Sequence, residues 1–185
     1  GGTTISSGFL QIGNGGTTGS LGAGTLVNNA QLTLNRSDDV TLGNNINGSG
    51  FIIKRGAGTL TLSGTGSNSL SIEQGHVVLT GNYSAATGFS FLSPGATISG
   101  TGILGGSLVG SGLFSPGVNG TGVLSINGAL TMGNNSSFLV EMQGTTAGTG
   151  YDQMSLTSSY QLGNTALLAD RLGAFEAPFL SSFVI

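Results

Sequence analysis

The only histidine in the sequence is the first candidate for catalytic chemistry. His76 lies in the run Gly-His-Val-Val-Leu, and no other imidazole could serve as a general base. A serine nucleophile of the triad type needs such a base. The Gly-x-Ser-x-Gly turn that presents the nucleophile in one large class of hydrolases does not occur in this sequence. We therefore interpret His76 as a residue of a strand or a corner.

Paired carboxylates are the second candidate, because two of them can hydrolyse a glycosidic bond. We expect Glu73, Glu141 and Asp152 to lie several coils apart in the fold, where stacking does not bring them together. Asp38 and Asp39 are adjacent, but neighbouring residues of a strand point to opposite faces.

A solvated corner beside Arg36 is the favoured interpretation of Asp38 and Asp39, with calcium binding as the alternative. The Gly-Gly-x-Gly-x-Asp calcium repeat is absent from the sequence.

Two further patterns have an ordinary structural explanation. Gly100, Gly102 and Gly105 form one Gly-x-Gly-x-x-Gly match, but with 36 glycines such a match arises by chance, and no helical pattern follows it. Lys54 and Arg55 form a lone basic pair, which we expect to face water and to discourage lateral aggregation. The sequence therefore predicts no catalytic, cofactor-binding or metal-ligating residues, no cofactor, and no enzyme activity.

The composition excludes several classes of protein. The chain has 185 residues, of which 4 are basic and 7 acidic, and charged residues make up 6% of it. Globular domains contain about 25%. Without a basic stripe the chain cannot bind nucleic acid through its phosphates. No run approaches the ~20 apolar residues of a spanning helix, so we expect no membrane insertion of this segment. Cysteine is absent, which excludes disulfides and thiolate metal sites.

Short alternating segments separated by turn residues predict an all-β fold. Each glycine inside a helix costs about 1 kcal/mol relative to alanine, and glycines occur throughout the sequence. Apolar and polar residues alternate instead over short runs, as in Thr59-Leu60-Thr61-Leu62, and Asn-Gly or Gly-Asn pairs lie between such runs.

Internal repeats favour a parallel β-solenoid among the all-β folds. Gly100-Thr101-Gly102 recurs as Gly120-Thr121-Gly122, and Ser93-Pro94-Gly95 recurs as Ser115-Pro116-Gly117. A period of roughly 20–22 residues with two or three short strands is one coil of a solenoid. A β-sandwich is the alternative, although hairpin turns do not explain these recurrences.

Residues 9–64 contain an ordered series of segments. These are Phe9-Leu10-Gln11-Ile12-Gly13, Gly19-Ser20-Leu21-Gly22-Ala23-Gly24, Gln31-Leu32-Thr33-Leu34, Asp39-Val40-Thr41-Leu42, Ile46-Asn47-Gly48-Ser49-Gly50 and Lys54-Arg55-Gly56-Ala57-Gly58-Thr59-Leu60-Thr61-Leu62-Ser63-Gly64. The series resembles the autotransporter-associated β-strand repeat, also called the passenger-associated transport repeat. The resemblance is best over residues 9–64 and extends over most of residues 1–170.

The resemblance implies a right-handed parallel β-helix that forms the passenger of a type V secreted protein of Gram-negative bacteria. It implies export through the outer membrane to the cell surface or the extracellular space. We expect a β-helix region over residues 1–170, followed by a terminal segment, 171–185, that forms an edge strand. The chain does not begin with Met, and we expect it to be a piece of a longer protein.

The function that follows is a structural scaffold that supports autotransport and displays an adhesive surface. Its expected partners are host or matrix glycans and proteins. The main alternative is a self-assembling extracellular fibre, since open strand edges at the ends of a solenoid can stack head to tail. A polysaccharide-degrading β-helix enzyme is a third possibility, but the sequence offers it no cluster of carboxylates.

Overall fold

The computed structural model describes residues 1–178 and 181–185. These residues form 22 short strands and no helix. The first eleven strands are β1 (Thr3–Ile5), β2 (Phe9–Ile12), β3 (Leu26–Asn28), β4 (Gln31–Asn35), β5 (Val40–Leu42), β6 (Ile46–Asn47), β7 (Phe51–Arg55), β8 (Thr59–Leu62), β9 (Ser69–Ile72), β10 (His76–Leu79) and β11 (Asn82–Tyr83). The others are β12 (Phe89–Leu92), β13 (Thr97–Gly100), β14 (Ile103–Gly105), β15 (Ser107–Gly110), β16 (Leu113–Pro116), β17 (Val123–Asn127), β18 (Leu130–Met132), β19 (Ser137–Met142), β20 (Gln153–Leu156), β21 (Tyr160–Leu162) and β22 (Ala166–Arg171).

The strands lie on three faces, and successive strands of the chain move from one face to the next. Sheet I has eight strands in the order β2-β4-β7-β9-β12-β15-β18-β21, and sheet II has seven in the order β22-β19-β16-β13-β10-β8-β5. The third face consists of β1-β3-β6 and β11-β14-β17-β20, which isolated parallel bridges at Thr65 and Gly66 connect. All paired strands in these sheets run parallel.

This topology confirms the predicted parallel β-solenoid and is incompatible with the antiparallel pairing of a β-sandwich. Leu32 lies opposite Ile52 and Ile52 opposite Leu70, so the second of these coils is slightly shorter than the first. Near the end of the chain Leu130 lies opposite Tyr160, which makes this coil much longer than either. The coil length thus varies more than the repeats predict, because the chain makes an excursion over residues 143–152, between β19 and β20.

Alternation along each strand builds a narrow core inside the coils. In β8, Leu60 and Leu62 are buried while Thr59 and Thr61 remain half-exposed. Parallel strands in register place each inward residue directly above its counterpart, and full burial of one Leu or Ile contributes roughly 1.5–3 kcal/mol. The buried cluster runs from Ile5 to Met154.

Glycine is required at the corners because backbones of neighbouring coils approach closely there. At Gly100, φ is 127°, and a Cβ would lie 1.9 Å from the carbonyl oxygen of Leu79 in the preceding coil. An L side chain is therefore excluded by conformation and by space.

The terminal segment 171–185 begins at Arg171, the last residue of β22. Residues 172–178 and 181–185 contain no strand, and the part of the predicted edge strand at Phe179 and Leu180 lies outside the described residues. Gln153 Nε2 donates a hydrogen bond of 2.9 Å to the carbonyl oxygen of Val184, and the Phe183 ring meets Tyr151 edge to face at 5.1 Å between centroids.

Candidate functional site

His76 lies on the outer face of β10, where the strand alternates with the buried Val77 and Leu79. Its Nε2 is 2.7 Å from the hydroxyl oxygen of Ser99 on the neighbouring strand. Burial lowers the pKa of the imidazole, which favours its neutral form. The structure thus places His76 in a strand and pairs it with a single hydroxyl.

Asp38 and Asp39 form the predicted corner beside Arg36. Arg36 holds the Asp38 carboxylate with two hydrogen bonds, Nε to Oδ1 at 2.8 Å and a terminal nitrogen to Oδ2 at 2.7 Å. Arg36 also donates to the backbone carbonyls of Gly19 and Thr17, so it ties an N-terminal loop to this coil.

The two aspartates each have a partner of their own. The hydrogen bonds from Arg36 lower the pKa of Asp38. Asp39 Oδ1 accepts from the backbone N–H of Thr59 at 2.8 Å, and this bond lowers the pKa of Asp39. Within the described residues, no group of three or more acidic or histidine side chains could hold a metal ion.

Glu141 and Asp152 lie together, which corrects the expectation that the acidic residues are several coils apart. The excursion after β19 folds back on itself, so that Met142 and Tyr151 form an antiparallel bridge. The chain therefore returns to its starting point, and the excursion adds residues without adding a new coil. Glu73 lies elsewhere and forms an ion pair with Arg55, with Nε to Oε2 at 2.6 Å.

Asp152 is buried, and its carboxylate closes this excursion. Its Oδ1 accepts from the N–H of Gly122 at 2.7 Å and its Oδ2 from the N–H of Glu141 at 2.9 Å. Burial raises the pKa of Asp152, and these two hydrogen bonds oppose the rise. Burial also raises the pKa of Glu141, and the negative charges of Asp152 and Asp170 add to the effect. Because both of its oxygens accept from backbone N–H groups, the Asp152 carboxylate has a structural role: it joins the end of the excursion to Gly122 and Glu141.

The basic pair was expected to face water, and this is correct for the exposed Arg55 but wrong for Lys54, which is buried. Its side chain is 2% exposed, and it occupies the inward position between Leu34 and Ile72 in the stack. The ammonium donates to the backbone carbonyls of Arg55, Gly56 and Gln74 at 2.9, 2.5 and 3.3 Å. Burial lowers its pKa. The alternation Ile52-x-Lys54 indicates that Lys54 points inward, because it places Lys54 on the same face of the strand as the core residue Ile52.

The glycines of the Gly-x-Gly-x-x-Gly match pack against the backbone of the preceding coil. A Cβ at Gly102 would lie 2.4 Å from the carbonyl oxygen of Gly81, and one at Gly105 would lie 2.3 Å from that of Ala86. These glycines permit coil stacking and are surrounded by protein backbone at the positions where a phosphate would need open N–H groups.

One feature that the sequence analysis missed is a line of exposed aromatic rings. Phe9, Phe51, Phe89 and Phe91 lie on the outer face of sheet I and are 70%, 39%, 58% and 46% exposed. We call these four residues the aromatic stripe. In the described part of the chain, every phenylalanine exposed by more than a third belongs to it. The sequence pattern could have revealed these rings. Phe51, Phe89 and Phe91 are each followed by an inward residue, and because neighbouring residues of a strand point to opposite faces, each ring must point outward.

The last coil leaves apolar residues uncovered at one end of the solenoid. Tyr160, Leu162 and Leu167 follow the inward residues Leu130, Met132 and Phe138 in the stack but are 69%, 54% and 58% exposed. They line an open apolar cavity together with Phe183, Val184 and Ile185. Residues 1–178 and 181–185 contain no helix that is long and apolar enough to cross a membrane.

The chain is similar to part of an autotransporter adhesin. Over 107 residues it is 38% identical to the Adhesin BmaC autotransporter of Brucella suis biovar 1 (strain 1330). The similar region makes up 54% of this chain and 3% of that protein, so the chain spans a small fraction of its relative's length. No protein-family model and no solved structure matches the chain. The protein is a β-solenoid, and its similarity to an autotransporter adhesin fits the passenger type of β-solenoid.

Proposed function

We propose that this chain is a scaffold segment of an autotransporter passenger, exported to the bacterial surface, where it displays adhesive side chains. The observation that carries the proposal is the in-register stack of coils. Each of the six inner strands of sheet I pairs with one strand of the coil before and one of the coil after. Such a solenoid folds by adding one coil to the next, and folding can propagate from one end as the chain emerges from a pore.

Two further observations support the scaffold role. The relative is itself called an autotransporter adhesin, and the similarity extends over 107 residues, which corresponds to several coils. The charged side chains that sequence analysis singled out are engaged in structural contacts: Arg36 with Asp38, Arg55 with Glu73, and Asp152 with backbone N–H groups.

The test is to place the chain between a signal peptide and the translocator barrel of a well-expressed autotransporter. We expect the chain to reach the surface of intact cells and to resist added protease. The matched variant is Gly100→Val, which blocks stacking of one coil on Leu79. It should reduce the protease-resistant surface material several-fold. Equal surface exposure of both forms with no protease-resistant fragment in either would contradict the proposal.

End-to-end association into a fibre is the second candidate function. Tyr160, Leu162 and Leu167 hold inward positions of the coil and are exposed at one end of the described stack, so a coil of a second molecule placed there would meet an apolar surface. Stacking of another coil on them would continue the core, and a contact between unlike ends gives open filaments. Sedimentation velocity over a range of concentrations tests this: growth of large species that Leu167→Lys abolishes would support a fibre. A monomer at all concentrations would exclude it.

A further inference from the structure

The aromatic stripe has a regular spacing along the axis of the solenoid. Phe9 lies opposite Gln31, and Gln31 lies opposite Phe51 in the next coil. Phe51 in turn lies opposite Ser69. Aromatic rings and small polar side chains therefore alternate from one coil to the next along the first part of this column.

The alternation continues through the next two coils. Phe91 lies opposite Ser71. Phe89 therefore lies level with Ser69, and it is paired with Ser107 on its other side. The column reads Phe, Gln, Phe, Ser, Phe, Ser. Since neighbouring strands are about 4.8 Å apart, the rings recur about every 9.6 Å.

A spacing of two coils fits an extended polysaccharide with a twofold repeat. In a neutral β-1,4-linked chain, successive sugars are turned over, so that the same apolar ring face recurs at every second sugar. Aromatic side chains present a partly negative face to the C–H groups of such a sugar ring. Gln31 is half-buried between Phe9 and Phe51, and its amide, which donates to Thr33 Oγ1 at 2.9 Å, keeps its oxygen as an acceptor for a sugar hydroxyl. Ser107, also half-buried, lies beyond Phe89 at the end of the column.

The charge on this face also fits a neutral ligand. β7 ends in Arg55, which is neutralised by Glu73 through hydrogen bonds of 2.6 and 3.2 Å. The column itself carries aromatic, amide and hydroxyl side chains without a formal charge. An acidic glycan would find no free cation on this column, whereas a neutral one would need none.

The area of the stripe is too small for a stable contact with a second copy of the chain. The four rings together expose about 400 Å², taking about 200 Å² for a whole phenylalanine side chain. Each partner of a standard protein interface buries about 800 Å². A narrow, linear ligand that follows the axis uses this surface more completely than a second solenoid does.

We propose that the outer face of sheet I is a binding surface for a neutral, extended β-1,4-linked polysaccharide, held by Phe9, Phe51 and Phe89 on alternate coils. Phe91 widens the platform beside Phe89. The proposal rests on the display role proposed above and names the ligand of that display.

The test is binding of the purified chain to insoluble cellulose and chitin, with insoluble amylose, an α-linked helical polymer, as the control. We expect retention on the two β-1,4-linked polymers and little on amylose. Phe51→Thr should weaken retention about tenfold, in the range that base stacking on aromatic side chains reaches. Thr suits an exposed strand position, and circular dichroism checks that the variant is folded.

The matched control keeps the composition and changes the spacing. The double variant Gln31→Phe with Phe51→Gln has the same number of rings on the same face, but no longer at alternate coils. It should lose retention as Phe51→Thr does. Val118→Thr removes an apolar side chain that is 42% exposed outside the stripe and should leave retention unchanged.

Three results would overturn the proposal. The first is no retention of the wild-type chain on either β-1,4-linked polymer under saturating conditions. The second is equal retention of the wild type and the spacing variant on all three polymers. The third is lateral dimerisation that Phe51→Thr abolishes while retention is absent. None of these affects surface export of the chain, so failure of this ligand and failure of the scaffold role are distinguishable.

Discussion

One column of sheet II shows how the body of the solenoid differs from its last coil. Leu60, Val77, Ile98 and Phe114 lie above one another and are at most 1% exposed. The next residue in the stack, Phe138, is 7% exposed, and the one after it, Leu167, is 58% exposed.

These residues have similar hydrophobicity and the same position in the coil. What differs is the number of coils that cover them, because Leu167 has a neighbour on one side and the others have neighbours on both. In this architecture burial is a property of position in the stack, and the body and the last coil should respond very differently to the same substitution.

The largest effect is expected in the body of the column. Phe114→Ala removes a fully buried ring between two coils and leaves a cavity that the parallel strands cannot collapse to fill. The free energy of unfolding should fall by about 3–5 kcal/mol. Urea unfolding followed by circular dichroism measures this. A loss below about 1 kcal/mol would mean that the coils around residue 114 move together and fill the cavity, and that the body is no more tightly packed than the last coil.

The next effect is expected at the junction between the two regions. Asp152→Asn replaces one carboxylate oxygen by an NH2 group, which donates and cannot accept, so that the N–H of either Gly122 or Glu141 loses its partner. The cost should be about 1–3 kcal/mol.

Hydrogen exchange at Gly122 and Glu141 locates the change, and Asp170→Asn on the exposed β22 is the control. Equal exchange rates in the wild type and Asp152→Asn would show that the excursion is held by its backbone bridge alone.

A smaller effect is expected from the buried charge in the body. Lys54→Met should change the free energy of unfolding by less than about 1 kcal/mol at pH 7, since relief from desolvation offsets the loss of three hydrogen bonds to carbonyls.

The pH dependence of Lys54 identifies the ammonium as the cause. Because burial lowers the pKa of folded Lys54 below 10.5, the unfolded chain binds more protons between those two values. The stability of the wild type should therefore rise with pH in that window, and Lys54→Met should not show this rise. Parallel pH profiles for the two proteins would contradict the assignment.

The smallest effect is expected in the last coil. Leu167→Ala removes a side chain that is more than half exposed, and the free energy of unfolding should change by less than about 0.5 kcal/mol. The measurement sharpens the comparison with Phe114, because both residues belong to the same column. An effect that grows with protein concentration would show that a second molecule covers this end.

Alternation and repetition in the sequence were sufficient to predict the fold. Thr59-Leu60-Thr61-Leu62 shows which residues point inward, and the recurrence of Gly-Thr-Gly at 100–102 and 120–122 shows that coils repeat. Neither pattern reveals the return of the chain between β19 and β20, because the contact of Asp152 with Glu141 depends on a loop that interrupts the period.

The individual sites were harder to predict because residue type and position in the coil gave opposite indications. The charge of Lys54 predicts an outward position, although its place in the alternation is inward. Residue type places Phe51 in a core, because phenylalanine is usually buried, yet the alternation turns it toward solvent. In both cases the two-residue alternation predicts the orientation of the side chain better than its polarity does, because the register of strand pairing determines the face to which each side chain points.

The excursion between β19 and β20 shows that this fold tolerates insertions within a coil. Its entry and exit are joined at Met142 and Tyr151, and the strands on either side keep their parallel partners. Lengthening such a closed loop costs little chain entropy. A foreign peptide inserted within residues 145–149 would change the hydrogen bonds that Thr146 accepts from Gly150 and Tyr151 but would leave the paired strands in place, which makes this loop a natural position for an epitope or an affinity tag.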